Sequence, residues 1–391
     1  MVSLSNTHIL LLEGFGRQVM PMMQALHDLG CKITTYNSSK LDMGYASKYP
    51  DRKLLAYWNR NDEDMSYHSL LEILKKDKYD VTIPMTDFSA AMLSRHKEEL
   101  LKYTRPAVND WEVFIQARDK LSTMLACMNN DIPCPYTLRK AEKTEDVLEA
   151  VAAQEISYPF IIKPRVGYGS IGFHVIRNEE DLRRVFDSTV KAHGDMLVQE
   201  YIPQTDIQYK CEVFIDRNGD VKSAVVFDKT RWYPIDGGST CCSATVERPD
   251  IVESSVKLLQ AIGWRGYGDV DLIQDPRDHT AKVMEINPRV TASVKVCFAA
   301  GVDFARQIVE YETGQKVTEY KEYEIGRRLR YMHTDLLWFI KSPNRFKAEP
   351  SWFSWKRTTD QIWSFKDPLP WFTYTIAGFK KYKTESNKRK R

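Results

Sequence analysis

Two alternating runs, Asp269-Val270-Asp271-Leu272-Ile273 and Val283-Met284-Glu285-Ile286-Asn287-Pro288-Arg289, constrain the chain more than any other stretch. The turn-rich Asp275-Pro276-Arg277-Asp278-His279 lies between them, so the simplest structure is an antiparallel hairpin. Side chains alternate faces along a strand, which puts Asp271 with Asp269 and Glu285 with Asn287. A hairpin centred near Asp278 sets Asp271 opposite Glu285, and the acidic groups converge. Two carboxylates and an amide carbonyl on one face make an all-oxygen set suited to Mg2+, which keeps positions open for phosphate and water. Arg289, just beyond Pro288, is placed to steady a phosphoryl group. An edge hairpin with an acidic solvent face explains any one of these residues equally well. The ordered set Asp271, Glu285, Asn287, Arg289 favours a metal site, because phosphate-handling features precede it in the chain.

The first of those features is a lysine-framed glycine loop. Tyr158 to Lys163 reads as an apolar strand, followed by Pro164-Arg165-Val166-Gly167-Tyr168-Gly169-Ser170-Ile171-Gly172 and a second strand, Phe173 to Ile176. Glycines there let backbone N–H groups approach phosphate oxygens, with Lys163 as a point charge at the edge. No Gly-Lys-Ser/Thr closes the loop and a strand follows it, so it is not a Walker A loop. Upstream, Ala117-Arg118-Asp119-Lys120 opens a helix to Asn130. Downstream, Asn178 caps a helix over residues 179–193, and Met196 to Pro203 is a strand running into an extended segment able to meet an adenine edge. Tyr209 to Ile215 and Val221 to Asp228 form a hairpin around Asp216-Arg217-Asn218-Gly219. Lys229, Arg231 and the loop Gly237-Gly238-Ser239-Thr240 are then read as meeting an anionic substrate or the β/γ-phosphates, with exposed loop charge as the alternative.

The N-terminal hundred residues read as a separate α/β unit. An apolar strand ends in Glu13-Gly14-Phe15-Gly16-Arg17-Gln18, and Val19 to Leu29 is apolar at helical spacing. Val19 occupies the third-glycine position of G-x-G-x-x-G, which favours a structural or substrate-side unit over a dinucleotide site. A further strand, Val81 to Met85, ends in Thr86-Asp87.

Charge and cysteine content bound the partners. The formal surplus of +3 is set by residues 380–391, which carry a local +6 and leave the body near −3, so nucleic acid is not expected as a partner. Seven cysteines without Cys-x-x-Cys spacing argue against a disulfide framework or zinc ribbon. The first residues lack the basic region and cleavage site of a signal peptide, so a reducing cytoplasm is expected, the inner face of the membrane being the alternative. From Tyr331 onward aromatics interleave with lysines; packing across the body is preferred there to peripheral membrane contact.

Taken together, Lys120, Lys163-Pro164 with its loop, Gln199-Glu200-Tyr201-Ile202, Asp271 and Glu285-Ile286-Asn287-Pro288-Arg289 resemble the ATP-grasp superfamily, in the branch of carbamoyl-phosphate synthase large subunit and biotin carboxylase. The resemblance implies mixed α/β and α+β architecture: a Rossmann-like pre-ATP-grasp domain over residues 1–106, an ATP-grasp domain over 107–318 with its lid at about 122–196, and a C-terminal extension over 319–391. It implies that Lys120 and Lys163 contact ATP phosphates, that Gly167, Gly169, Ser170 and Gly172 cover them, and that Gln199, Glu200, Tyr201 and Ile202 meet the adenine, largely by main chain. Asp206 and Gln208 compete for the ribose. Asp271, Glu285 and Asn287 hold one or two Mg2+, Mn2+ being an alternative, while Arg289 with Lys163, Lys229 and Arg231 serves the transfer. The implied reaction joins a small-molecule carboxylate to an amine through an acyl phosphate. An acid–thiol ligase and an ATP sensor are the alternatives, and a homodimer is left open. The extension resembles those of ligases in bacterial surface-polysaccharide pathways, where an amino acid or sugar acid is the substrate.

Overall fold

Short apolar strands separated by amphipathic helices build the N-terminal unit. β1 (His8–Leu11), β2 (Lys32–Asn37), β3 (Arg52–Leu55), β4 (Val81–Ile83) and β5 (Arg105–Pro106) pair in parallel in the order β3-β2-β1-β4-β5. Helices over Val19–Asp28 and Glu63–Lys76 bury Met22, Met23 and Leu70 against it. This Rossmann-like sheet needs glycine after β1 for a local reason. A Cβ on Gly14 would sit 1.9 Å from the Asn37 side-chain oxygen, so no larger residue fits the turn as it stands. The computed structural model describes residues 4–167, 171–203, 207–235 and 238–389, with side chains through residue 379. Gly169, Ser170 and Asp206, expected at the nucleotide, lie outside the described residues, as do Tyr168 and Gly237.

A three-stranded sheet in the stretch expected from the sequence to be a lid, hereafter the lid sheet, comprises β6 (Phe160–Pro164), β7 (His174–Ile176) and β8 (Met196–Glu200), ordered β7-β6-β8. Phe160, Ile162, Met196 and Val198 pack on helices Thr144–Ala152 and Glu179–His193. Asn178 caps the second of these through its side chain, as the sequence predicts. Lys163 pairs across the sheet with Leu197, whose side chain belongs to the core of the main body. Cross-strand partners share a face, so Lys163 is carried on the side of the lid turned toward that body.

The main body is a seven-stranded sheet: β9 (Gln208–Ile215), β10 (Val221–Tyr233), β11 (Ser239–Thr245), β12 (Gly266–Gln274), β13 (Ala281–Asn287), β14 (Arg328–Arg330) and β15 (Thr358–Asp360), in the order β13-β12-β9-β10-β11-β14-β15. One face is apolar through Cys211, Val213, Val270 and Leu272, and helices Trp111–Arg118, Lys120–Asn129 and Pro249–Ala261 cover it. On the other face Phe214 and Phe227 pack into the core shared with the N-terminal unit. The remainder of that face is polar.

Part of the C-terminal extension packs on the body, as preferred from its composition, while Phe346, Phe353, Trp355, Phe365, Phe372 and Phe379 stay exposed. Its strands β14 and β15 complete the large sheet, and Asp335 in helix Met332–Lys341 is fully buried between Arg231 and Arg330. Among the described residues no helix is long and apolar enough to cross a membrane.

Candidate active site

The hairpin forms as the alternation predicts. β12 and β13 are antiparallel with Asp271 opposite Glu285 and Asp269 opposite Asn287, and a register shift follows Asp271. On the other side of β12, Asp271 faces Lys210 and Asp269 faces Glu212 of β9. Lys229 of β10 faces Gln208. Four neighbouring strands therefore present one polar face.

Its charges interlock. Asp271 accepts from Lys229 Nζ at 2.6 Å and from Asn287 Nδ2 at 2.8 Å, with Lys210 Nζ at 3.5 Å. Burial opposes ionisation, yet Lys210 and Lys229 hold the Asp271 carboxyl well below the usual carboxylate range. Lys210 also bonds Asp269, which is fully buried. Beside it Glu212 is buried among Ser293, Cys297 and Asp269, and burial followed by the Asp269 charge pushes its carboxyl up to about 7.

Two cavities meet at this face. The smaller, of about 290 Å³, lies between lid and sheet and is lined by Lys120, Lys163, Gly167, Gln208, Lys229, Asp271 and Glu285, among others. Lys120 Nζ bonds the Gly167 carbonyl at 3.0 Å and stands 3.4 Å from Glu285 Oε2. Burial pushes the Lys163 ammonium down to about 8, against the favourable charge of Glu285. The larger cavity, of about 660 Å³, is walled by the loops after β1 and β4, by the sheet through Lys210, Lys229 and Asn287, and by Arg289, Tyr331, Gln361 and Tyr374. Lys229 and Gly238 line both cavities. Arg289 Nη2 bonds Asp87 Oδ2 at 3.1 Å, while its Nε is buried with no partner among the described residues.

The donor set fits a hard cation. Asp271 and Glu285 oppose each other on paired strands, Asn287 adjoins them, and Lys120, Lys210 and Lys229 neutralise the carboxylates. Each of the two carboxylates has a lysine partner, and their oxygens are the ligand type that a divalent ion takes. Among the described residues no group of three or more His, Cys, Asp or Glu side chains could hold a metal; this set has two carboxylates and an amide.

Several expected residues lie elsewhere. Arg231 does not line either cavity; its side chain is buried, bonding Asp335 at 2.7 and 3.1 Å and the Pro350 carbonyl at 3.0 Å. The cause is a bulge in the β10–β11 pairing: Lys229 faces Ser243 but Arg231 faces Cys242, so the two basic residues project from opposite faces. Arg231 is thus a structural residue here, not a transfer residue. Gln199, Glu200, Tyr201 and Ile202 are absent from the described lining of both cavities. Gln199 Nε2 bonds Thr137, the Glu200 carboxylate is engaged by Arg277, and the Glu200 N–H donates to the Tyr136 carbonyl at 2.8 Å. Gly172, with φ of +72°, lies against Pro164 and also outside the lining.

Sequence reasoning passed over Lys210, Glu212, Arg17 and Arg118. The first two were detectable, because Gln208, Lys210 and Glu212 alternate with buried Tyr209, Cys211 and Val213.

Residues 119–320 match the family model for the carbamoyl-phosphate synthase L chain, ATP binding domain. D-aspartate ligase of Enterococcus faecium is 26% identical over 277 residues, covering 64% of this chain and 64% of that protein. Carbamoyl phosphate synthase large chain of Thermotoga neapolitana is 23% identical over 352 residues, 84% of this chain and 30% of the relative. The chain thus spans under two thirds of the length of each. Biotin carboxylase from Campylobacter jejuni, solved as a complex with a form of ATP, superposes with a TM-score of 0.69 at 19% identity, over 82% of this chain and 74% of that one. With the lid sheet, the polar sheet face and the Asp271–Glu285 hairpin in place, the chain belongs to the carbamoyl-phosphate synthase L chain ATP-binding family, within the ATP-grasp superfamily.

Proposed function

We propose that this protein is an ATP-dependent ligase that activates a carboxylic acid as its acyl phosphate and passes it to an amine. The observation that carries the reading is the seam between the cavities. Lys229 and Gly238 line both, so a triphosphate in the smaller and an acid in the larger meet beside Asp271 and Asn287.

An acid oxygen attacks the γ-phosphorus, the bridging P–O bond breaks, and its electrons leave with ADP. Lys120, Lys163 and Lys229 are fixed cations around the phosphates, and Arg289 is held by Asp87 to receive the transferring group. Asp271, Glu285 and Asn287 would hold Mg2+, which when bound would supply positive charge to the phosphates. The amine nitrogen then attacks the acyl carbon, the C–O bond to phosphorus breaks, and phosphate leaves with one oxygen from the acid while the nitrogen gives up a proton. No protein nucleophile is required. Closure of the lid face bearing Lys163 excludes water that would hydrolyse the acyl phosphate. The Enterococcus relative, a D-aspartate ligase, accords with an amino acid on one side of the new amide.

The test is ADP release by the full chain with a panel of carboxylates, each with and without amines. Amine-dependent turnover is expected. ATP binding without release by any acid would replace the ligase reading with an ATP sensor.

A further inference from the structure

The larger cavity carries more positive charge than the reacting carboxylate requires. Among the described residues six basic side chains line it, Arg17, Arg60, Arg118, Lys210, Lys229 and Arg289, against one acid, Asp87. Three of the six are matched within the protein: Lys210 by Asp269, Lys229 by Asp271 and Arg289 by Asp87. The others are not. Arg118 is half-buried and makes no hydrogen bond or ion pair with any described residue within 4.0 Å. Arg17 lies 4.3 Å over the Tyr331 ring and, among the described residues, its side chain bonds the neutral Gln361 alone, at 2.7 Å. Arg60, at the rim, reaches only to 4.0 Å from Glu13. None of these three arginines lines the smaller cavity, so the triphosphate does not account for them.

Their placement is built. The Glu13 carboxylate is buried and accepts from Thr86, Ser89 and Trp58, which clamps the loop after β1 to the loop after β4. Arg17 is borne on the first of those loops and Asp87 opens the helix after the second, while Gln361 of the extension bonds Arg17. A guanidinium withdrawn from water without a hydrogen-bonded counter-charge is costly, and a planar anion that accepts two N–H groups offsets that cost.

We propose that the acid substrate is at least dianionic: beyond the carboxylate that takes the phosphoryl group, it carries a second carboxylate or phosphate seated on Arg17 and Arg118. This rests on the ligase reading, which places the reacting carboxylate at the Lys229 seam. Neutral and cationic amino acids lack the second charge and are selected against on the acid side.

The probes are matched pairs, succinate with succinamate, glutarate with glutaramate, and phosphoglycolate with glycolate, titrated calorimetrically into the full chain saturated with a non-hydrolysable ATP analogue. At least one doubly charged probe is expected to bind ten- to a hundredfold tighter than its singly charged partner, the range of a hydrogen-bonded charge pair. Arg17→Gln and Arg118→Gln should each shrink that ratio, with ATP-analogue affinity and circular dichroism as checks on folding. Equal affinity within every pair, no binding by any doubly charged probe, or a preference that survives both substitutions overturns the proposal. Failure of the wild-type chain to bind the analogue would instead remove the ligase reading on which it rests.

Discussion

Lys229 and Arg231 stand two residues apart in one strand, and their loss should have opposite consequences. The Arg231 guanidinium makes two charge-assisted bonds to Asp335 at 2.7 and 3.1 Å, a third to the Pro350 carbonyl at 3.0 Å, and lies 5.2 Å over Trp338. Arg231→Met keeps much of the volume but removes all of these. Asp335 is not left alone, because Arg330 Nε still donates at 2.8 Å. The cost is therefore below that of abandoning a buried charge and comes to about 3 kcal/mol, a few charge-assisted bonds discounted for non-additivity. Asp335→Ala strands two buried guanidiniums and should cost about 5 kcal/mol, the upper part of the range for a broken buried pair. Lys229→Met should cost less stability than Arg231→Met, since Asn287 Nδ2 at 2.8 Å and Lys210 at 3.5 Å still partner Asp271, while ADP release collapses. Urea unfolding and ADP release measured on the same three variants decide the matter. Wild-type stability with lost turnover in Arg231→Met would return that residue to the chemistry and refute the bulge argument.

Two further outcomes follow from the same geometry. Glu285→Gln should bind ATP yet lower turnover more than tenfold, on the scale of a lost metal contribution, as read from initial rates of ADP release at saturating Mg2+; unchanged rates would remove Glu285 from the site. Lys163 carries its proton below about pH 8 in the free protein because burial depresses it, and phosphate favours the charged form. ATP affinity should accordingly weaken as pH rises through about 8, by up to about tenfold per unit, with proton uptake on binding visible in calorimetry in buffers of different ionisation enthalpy. Lys163→Met should abolish both effects, and a wild-type profile that stays flat would contradict the shift.

How much of this was legible in the chain depended on the range of the determinant. The Asp271–Glu285 register follows from two alternating runs and one turn, all within about twenty residues, and strand alternation fixes the face. Asn178 as a cap and the hairpin at Gly219 are similarly local. Arg231 misled because a two-residue period places it with Lys229, and the bulge that reverses it leaves no mark in Thr230 or its neighbours. The larger cavity was beyond sequence reach. Arg17, Arg118, Arg289 and Gln361 converge only when the N-terminal sheet, the large sheet and the extension assemble, and no periodicity within any one segment encodes that assembly. Gln199 and Glu200 illustrate the converse: the strand was correctly located, but the Val198 carbonyl and the Glu200 N–H on its outer edge are taken up by Leu138 and Tyr136.

The central claim is that an acid oxygen is phosphorylated at the seam between the two cavities. Incubation of the full chain with ATP, Mg2+, an amine and the active acid labelled with 18O in its carboxylate tests it directly, by mass analysis of the phosphate released. One labelled oxygen per phosphate, appearing in step with ADP, is the expected result. ADP formed together with unlabelled phosphate would mean that water, not the acid, took the phosphoryl group, and would contradict the account.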